Sequence, residues 1–204
     1  MMPLVAVTQR VEIDPKHGER RDAIDQRWIG FLAQCSLTPV LLPNDEAAAV
    51  DLLSAIPVGG LLLTGGNNLV EYGGDTPERD RMERRVLNIA RERRLPALGV
   101  CRGMQMMLAA FGVPLRKVEG HVATNHEVDG TGQRRTVNSY HELAAVGGAG
   151  PLTVLRRAPD GAVEEVSHPT LPFRGIMWHP ERNSPFEESD RRLFREFFAG
   201  GKGP

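Results

Sequence analysis

Cysteine is scarce in this chain of 204 residues, which contains only Cys35 and Cys101. Two cysteines cannot supply the disulfide framework of a small secreted domain, so we expect a reduced, cytoplasmic protein. An excess of either charge is missing too, since 25 Lys and Arg stand against 26 Asp and Glu. That balance argues against nucleic-acid or anionic membrane partners, and no apolar run is long enough to span a bilayer.

Strand-like apolar runs alternate with segments of helical spacing in the first half of the chain. The pattern predicts strands over 4–8, 39–42, 60–64 and 95–100, and helices over 20–35, 47–56, 77–94 and 104–111. This alternation predicts an α/β fold with a mostly parallel sheet flanked by helices. The charged residues of the third helix are expected to form a solvated face.

The second half of the chain has a different pattern. Short β-like runs separated by Gly and Pro predict added antiparallel strands over 134–137, 152–156, 161–166 and 175–178. A last helix is predicted over 190–198. We expect one domain over 1–199 and a flexible tail over 200–204, where Gly and Pro dominate.

Cys101 lies between Gly99 and Gly103, where a predicted strand passes into a predicted helix. A sharp strand-to-helix turn needs residues without side chains on both sides, because the two elements pass close together. Such a turn lifts the thiol out of the sheet and places it at a helix N-terminus, which favours the thiolate. The pattern therefore predicts a nucleophilic cysteine. Cys35, in an apolar helical segment, is expected to be a small buried hydrophobe.

A histidine and a glutamate follow the last predicted strand as His179-Pro180-Glu181. A thiol needs a base or a cationic neighbour to act as a nucleophile at neutral pH, and His179 supplies either. In extended backbone, residues two apart point to the same side, so the Glu181 carboxylate can orient the imidazole. Because sites in parallel sheets form beyond the carboxyl ends of the strands, we predict a triad of Cys101, His179 and Glu181.

Two glycines, Gly65 and Gly66, follow the third predicted strand and offer backbone amides with no side chain in front of them. Together with the amide of Arg102, the amide of Gly66 would hold the oxyanion of a tetrahedral intermediate. An ordinary glycine turn is the alternative. A phosphate-binding loop is excluded, because no Gly-Lys-Ser/Thr follows.

These residues resemble the signatures of the class I glutamine amidotransferase superfamily. The resemblance covers nearly the whole chain and is carried by Gly99-Val100-Cys101-Arg102-Gly103-Met104-Gln105 and His179-Pro180-Glu181. It implies a flavodoxin-like fold, a Cys-His-Glu triad, an oxyanion glycine after the third strand and no cofactor. Asn138-Ser139-Tyr140-His141 resembles the family's Asn-Ser-x-His segment, which helps to hold the glutamyl end of the substrate. These four residues and Gly65 are therefore candidate substrate contacts.

Arg102 and the Thr-Gly-Gly segment resemble the γ-glutamyl hydrolase branch of that superfamily, peptidase family C26. Members of the branch cleave γ-glutamyl amides such as γ-glutamyl-γ-aminobutyrate. The chain departs from it in being shorter and in having Tyr-His-Glu rather than His-His-Gln after Ser139. Segments 7–10, 19–23 and 25–28 resemble the short hydrolases that act on γ-glutamyl-CDP-amidate in capsule biosynthesis.

The leaving group needs contacts of its own. Arg10 and Arg21 belong to a charged segment after the first predicted strand, at the same edge of the sheet as the triad. Guanidinium groups there would suit a phosphate, and a merely solvated loop is the alternative. Gln105, one turn into the helix after Cys101, is expected either to reach the glutamyl group or to be a buried amide.

His121 and His126 are close in sequence, but no Cys or carboxylate cluster completes a metal site around them. We therefore expect them to pack a loop or line a pocket, and we predict no metal.

Three functions remain open. The first is a stand-alone hydrolase that forms a γ-glutamyl thioester at Cys101 and releases glutamate with an amine or a phosphoramidate. The second is a glutaminase subunit that passes ammonia to a separate synthase. The third is a non-catalytic α/β interaction module. The resemblance implies a small-molecule γ-glutamyl substrate and leaves open a homodimer or a synthase partner.

Overall fold

A seven-stranded sheet forms the frame of the protein in the computed structural model, which describes residues 2–130, 132 and 134–200. The strands, numbered along the chain, are β1 (Leu4–Val7), β2 (Arg10–Ile13), β3 (Arg20–Ala23), β4 (Thr38–Leu41), β5 (Gly60–Leu63), β6 (Ala97–Val100), β7 (Arg116–Lys117), β8 (Val122–Val128), β9 (Arg135–Tyr140), β10 (Leu143–Ala144), β11 (Thr153–Arg157), β12 (Val163–Ser167) and β13 (Phe173–Ile176). The helices are α1 (Gln26–Gln34), α2 (Glu46–Ala55), α3 (Pro77–Arg93), α4 (Arg102–Ala110) and α5 (Glu188–Gly200).

The order of strands across the main sheet is β11-β12-β13-β6-β5-β1-β4. The five strands from β13 to β4 are parallel, and β12 pairs antiparallel with both β13 and β11. The predicted α/β fold with added antiparallel strands is confirmed. Because β6 and β13 are neighbours, with Val100 opposite Ile176, the segments that follow these two strands leave the sheet side by side.

Each face of the sheet has its own apolar core, because alternate residues of a strand point to opposite faces. Leu62 of β5 belongs to the core formed with Trp28 and the rest of α1 and with α5. Leu61 and Leu63 belong to the core formed with α2, α3 and α4. This burial on both faces explains why β5 is a continuous apolar run rather than an alternating one.

A hairpin lies where the sequence pattern predicted the start of a helix. β2 and β3 pair antiparallel along their whole length, and α1 begins only at Gln26. The Asp25 carboxylate caps this helix by accepting the amide hydrogen of Arg27. The prediction of a helix over 20–35 was therefore wrong at its start. Arg20–Ala23 is mostly exposed and has little apolar surface to bury, and the hairpin ladder satisfies its backbone instead.

A second hairpin, β8 and β9, forms a separate two-stranded sheet. The sequence predicted part of β9 but not β8. Most side chains of β8 are exposed or half-buried, so it shows no alternation of apolar residues that would mark a strand.

Two glycines let β6 and α4 pass close together. A Cβ on Gly99 would lie 2.5 Å from the backbone of Gly103, and a Cβ on Gly103 would overlap the carbonyl group of Leu63. Neither position has room for a side chain. The main chains of β5, β6 and α4 therefore set the point at which residue 101 leaves the sheet.

Among the described residues, no helix has the length and apolar character that crossing a bilayer requires. α5 extends through Gly200, the first residue of the expected tail, and residues 201–204 lie outside the described part of the chain. The single domain over 1–199 stays a prediction.

Candidate active site

Cys101 occupies the turn between β6 and α4 with a φ of 52° and a ψ of −109°, a strained conformation for a residue other than glycine. Its amide donates to the carbonyl oxygen of Ile176 in β13 at 2.8 Å, and its carbonyl oxygen accepts from the amide of Gln105 at 3.0 Å. These bonds hold the residue at the N-terminus of α4. The strain is therefore supported from both neighbouring elements, and the thiol of the strained residue is buried.

His179 lies beside Cys101 and is oriented by Glu181. The imidazole hydrogen bonds with the side chain of Cys101. On its other side, Nδ1 lies 2.6 Å from Oε1 of Glu181, and both of these side chains are almost fully buried. The fold thus brings the three predicted residues together in the order thiol, imidazole and carboxylate.

The imidazole of His179 is held in its charged form. Burial by itself would lower the pKa of His179, because it disfavours the imidazolium. Electrostatic interactions with Cys101 and with Glu181, together with hydrogen bonds to both, outweigh burial and raise the pKa of His179 to about 10. A cationic imidazole at this position stabilises a thiolate and is ready to donate a proton.

Asn138 of β9 fixes the backbone of His179. Its Oδ1 accepts from the His179 amide at 2.7 Å, and its Nδ2 donates to the His179 carbonyl oxygen at 2.8 Å. Asn138, predicted as a substrate contact, thus clamps the histidine. Ser139 is also turned inward and donates to the carbonyl oxygen of His121 at 2.7 Å.

The glycine loop after β5 packs directly against the histidine. A Cβ on Gly65 would lie 2.7 Å from Cε1 of His179, so only glycine leaves room for the ring. Gly66 has a φ of 84°, in the left-handed region that favours glycine. The two residues predicted as oxyanion and substrate contacts are therefore also required by the backbone and by the packing of the triad.

Arg79 of α3 holds this loop from behind. Its guanidinium donates to the carbonyl oxygens of Thr64, Gly65 and Gly66 at 2.9, 3.1 and 2.5 Å. The N–H and C=O of one trans peptide point in opposite directions, so the amide of Gly66 points away from Arg79. The amide of Arg102, which opens α4, has no partner within the helix. These are the two amides predicted to receive an oxyanion.

A network of buried charges underlies the loop and the turn. Its members are Arg79, Asp80, Glu83 and Arg102. Arg79 donates to Glu83 through Nε at 3.0 Å, and the Arg102 guanidinium bridges Asp80 and Glu83. The prediction that the charged residues of α3 form a solvated face was wrong for the side of the helix that carries Arg79 and Glu83. The available signal was that Arg79 and Glu83 share a helical face with the apolar Met82 and Val86.

A cavity of about 440 Å³ opens over the thiol, a volume suited to a small molecule. Its lining includes Cys101 and His179 with residues predicted as oxyanion or substrate contacts, namely Gly66, Arg102, Gln105, Tyr140 and His141. Gln105 is a buried amide whose Nε2 donates to the carbonyl oxygen of Leu143 at 2.9 Å. The Tyr140 ring stands perpendicular to the His179 ring, with centroids 5.6 Å apart.

The two arginines predicted to contact a leaving group lie in different surroundings. The Arg10 side chain packs against Gly66 and lines a small cavity beside His179. Arg21 is 57% exposed and pairs with Asp14 at 3.2 Å, farther along the hairpin. The fold thus brings Arg10 to the triad, whereas Arg21 lies on the outer part of the β2–β3 hairpin.

Relatives in the known proteins extend along nearly the whole chain. The family model for class I glutamine amidotransferases matches residues 22–200. The chain is 29% identical over 203 residues to γ-glutamyl-CDP-amidate hydrolase of Campylobacter jejuni, covering 96% of this chain and 97% of that protein. It is 30% identical over 220 residues to γ-glutamyl-γ-aminobutyrate hydrolase of Escherichia coli K12, covering 88% and 87%.

Solved structures share the fold at lower identity. A glutamine amidotransferase of Thermotoga maritima has a TM-score of 0.68 and 14% identity, covering 96% of this chain and 83% of that one. The CTPS glutaminase domain of Trypanosoma brucei has a TM-score of 0.70 and 14% identity, covering 99% and 96%. These likenesses show the fold alone.

Iodoacetamide should label Cys101 and spare Cys35. Burial raises the pKa of Cys35 to about 12, although nearby arginines partly oppose it, so this thiol stays protonated. Cys101 instead has a cationic imidazole beside it. We expect His179→Ala to slow labelling of Cys101 at pH 7 by about 10-fold or more, measured by peptide mass spectrometry. Cys35→Ala is the control, and its Cys101 should be labelled at the wild-type rate. Equal labelling of Cys35 and Cys101 in the wild type would contradict this assignment.

Glu83→Gln should destabilise the protein by about 3–5 kcal/mol, because it leaves two buried guanidiniums with one carboxylate. Glu78→Gln is the matched control on the same helix. Glu78 pairs with Arg20 at the surface, so its loss should cost less than about 1 kcal/mol in urea unfolding. Similar losses in the two variants would show that the buried network contributes no special stability.

The effect of Glu83→Gln should also depend on pH. Burial alone would raise the pKa of Glu83, but Arg102, Arg79 and the Thr8 hydroxyl hold it below its ordinary value. The stabilisation is therefore complete above the unfolded-state pKa of about 4.3 and is lost as the pH falls through the lower folded-state value. The difference in unfolding free energy between the wild type and Glu83→Gln should shrink over that range, and a constant difference would contradict the charge assignment.

Proposed function

The chain belongs to the class I glutamine amidotransferase family, and from that premise we propose that it hydrolyses γ-glutamyl amides by itself. The observation that carries the proposal is the Cys101–His179–Glu181 arrangement at the floor of a cavity of small-molecule size. The names of the two relatives with near full-length matches, both γ-glutamyl amide hydrolases, support the same substrate class.

The first half of the reaction forms a thioester. The Cys101 thiolate adds to the γ-carbonyl carbon of the substrate, and the amides of Gly66 and Arg102 receive the oxyanion. His179 donates its proton to the substrate nitrogen, the C–N bond breaks, and the amine or phosphoramidate leaves. The charged state of His179 in the free enzyme suits this step, since the proton is present before the substrate arrives.

The second half needs the same imidazole as a base. In the thioester the sulfur carries no charge, so the attraction and the hydrogen bond that Cys101 supplied to the imidazolium are lost. The pKa of His179 then falls, and the neutral ring accepts a proton from the attacking water. Glutamate and the thiolate are released, and the return of the thiolate favours the imidazolium again.

We further propose a phosphate-bearing leaving group, with γ-glutamyl-CDP-amidate as the first candidate and γ-glutamyl-γ-aminobutyrate as the second. The name of the Campylobacter jejuni relative supports the first. Two guanidiniums support a phosphate: Arg10 and Arg182 both line the small cavity beside Gly66 and His179. Arg182 also lines the larger cavity and lies 4.2 Å over the Tyr140 ring. Guanidinium groups bind phosphate through paired hydrogen bonds.

The purified chain alone should release glutamate from γ-glutamyl-CDP-amidate, γ-glutamyl-γ-aminobutyrate or L-glutamine, with the first turned over fastest. Cys101→Ala should lower kcat/KM by at least about 10⁴-fold, because the thioester cannot form. Cys35→Ala should retain the wild-type rate. An intermediate trapped by acid quench should place the glutamyl group on Cys101.

Two results would replace the proposal. Glutamate release only from glutamine, and only with an added synthase, would indicate a glutaminase subunit. No release from any substrate, with Cys101 inert to a γ-glutamyl chloroketone, would indicate a non-catalytic interaction module.

Arg10→Ala should lower kcat/KM for γ-glutamyl-CDP-amidate by about 10- to 100-fold, the loss of one charged hydrogen bond. It should lower γ-glutamyl-γ-aminobutyrate turnover much less, because that leaving group carries one carboxylate and no phosphate. Arg21→Ala is the matched control and should behave like the wild type on both substrates, since Arg21 pairs with Asp14 away from the triad. Equal losses on the two substrates in Arg10→Ala would contradict phosphate recognition.

A further inference from the structure

Three histidines converge on one buried carboxylate behind the wall of the large cavity. His121 precedes β8, His126 lies in β8, His141 follows β9, and Glu164 belongs to β12. Their nitrogens Nδ1, Nε2 and Nε2 lie 3.4, 3.3 and 3.1 Å from Oε1 of Glu164. Only His121 and His126 are close together in the sequence, and the fold adds His141 and Glu164 to them.

Several polar atoms in this cluster lack hydrogen-bond partners. Among the described residues, Nδ1 of His121, Nε2 of His126 and Oε2 of Glu164 are buried and accept or donate no hydrogen bond of normal geometry. The side chains of His141 and Glu164 are fully buried, and that of His121 is 4% exposed. Nε2 of His141 hydrogen bonds with Oε1 of Glu164 at 3.1 Å. The two unbonded nitrogens that face the same carboxylate, from His121 and His126, are costly to bury unless something between them and the carboxylate satisfies both.

We propose that this cluster is a binding site for a divalent transition metal, with Zn²⁺ as its natural occupant. One ligand atom from each of His121, His141 and Glu164 already lies within 4.8 Å of the others. In a tetrahedral zinc site with bonds of about 2.0–2.2 Å, neighbouring ligand atoms are roughly 3.3–3.6 Å apart. The nitrogen-to-oxygen distances in the cluster approach that range. His126 lies outside the group of three, but its Nε2 is 3.3 Å from the same carboxylate oxygen, so we assign it as the fourth ligand.

The surroundings of His121 fit the same assignment. Its Nε2 lies 2.8 Å from Oδ2 of Asp160, while its Nδ1 faces Glu164. Histidine ligands of zinc characteristically donate their second ring nitrogen to a carboxylate in this way, which fixes the tautomer and the ring orientation. Three imidazoles with one carboxylate favour Zn²⁺ over Mg²⁺ or Ca²⁺, which prefer oxygen ligands.

The metal would join the β8–β9 hairpin to the main sheet. His121, His126 and His141 belong to the hairpin or its ends, and Glu164 belongs to β12. The Glu164 carbonyl oxygen accepts from the amide of Met177 at 2.9 Å, two residues before the catalytic histidine. A metal here would hold the wall that carries Asn138 and Tyr140, without taking part in the attack by the thiol.

Metal binding can be measured without any substrate. The untagged wild-type chain, purified without chelators, should contain about one zinc per chain by mass spectrometric metal analysis. After zinc is removed, Co²⁺ should produce the strong visible absorption of a tetrahedral site. Chelator should lower the melting temperature, and added Zn²⁺ should restore it.

Zn²⁺ binding by substituted chains distinguishes a metal site from a cluster held only by hydrogen bonds. Glu164→Gln and His126→Ala should weaken Zn²⁺ binding by at least about 100-fold, and Asp160→Asn by about 10- to 100-fold. His126 is the most exposed of the three histidines, so its loss tests the site even where Glu164→Gln fails to fold. His17→Ala removes an exposed histidine outside the cluster and should bind like the wild type. A wild-type chain that holds no zinc, or equal binding by His126→Ala and His17→Ala, would overturn the proposal.

Discussion

One buried glutamate links the two arginines that shape the nucleophile's surroundings. Glu83 accepts from Arg79 and from Arg102, while Asp80 receives the second arm of Arg102. Two guanidiniums and two carboxylates balance in charge, which is the condition under which such groups tolerate burial. Arg79 also holds the glycine loop, and Arg102 begins α4. The network therefore connects the glycine loop to the start of α4, the two segments that carry the amides of the proposed oxyanion site.

The charge balance within this network also determines which cation is available to stabilise a thiolate at Cys101. Arg102 follows Cys101 in the chain, yet its guanidinium faces Asp80 and Glu83, so those carboxylates compensate its charge. The cation beside the sulfur is instead the imidazole of His179, whose charge depends on the sulfur in turn.

Much of the site could be predicted because its signals are local. A cysteine between two glycines at a strand end, and a histidine two residues before a glutamate, are recognisable without knowing the fold. The pairing of β6 with β13 brings these motifs together, but it is a long-range contact that no local sequence pattern predicts. The same is true of Asn138, whose partner His179 is 41 residues away. Two predictions were wrong, namely the start of α1 and the solvated face of α3. In both cases composition alone did not show which residues pack inward.

Different parts of the fold hold Cys101 and His179. The turn between β6 and α4, backed by the buried charges, holds Cys101. His179 follows the parallel strand β13 and is held by Asn138 of the separate β8–β9 hairpin and by the bond from Met177 to Glu164 of the antiparallel strand β12. A metal at Glu164 would stiffen the surroundings of His179 as the ion pairs stiffen those of Cys101. The pairing of β6 with β13 then sets the distance between the Cys101 sulfur and the His179 imidazole. The site therefore depends on that strand pairing more than on either sequence motif alone.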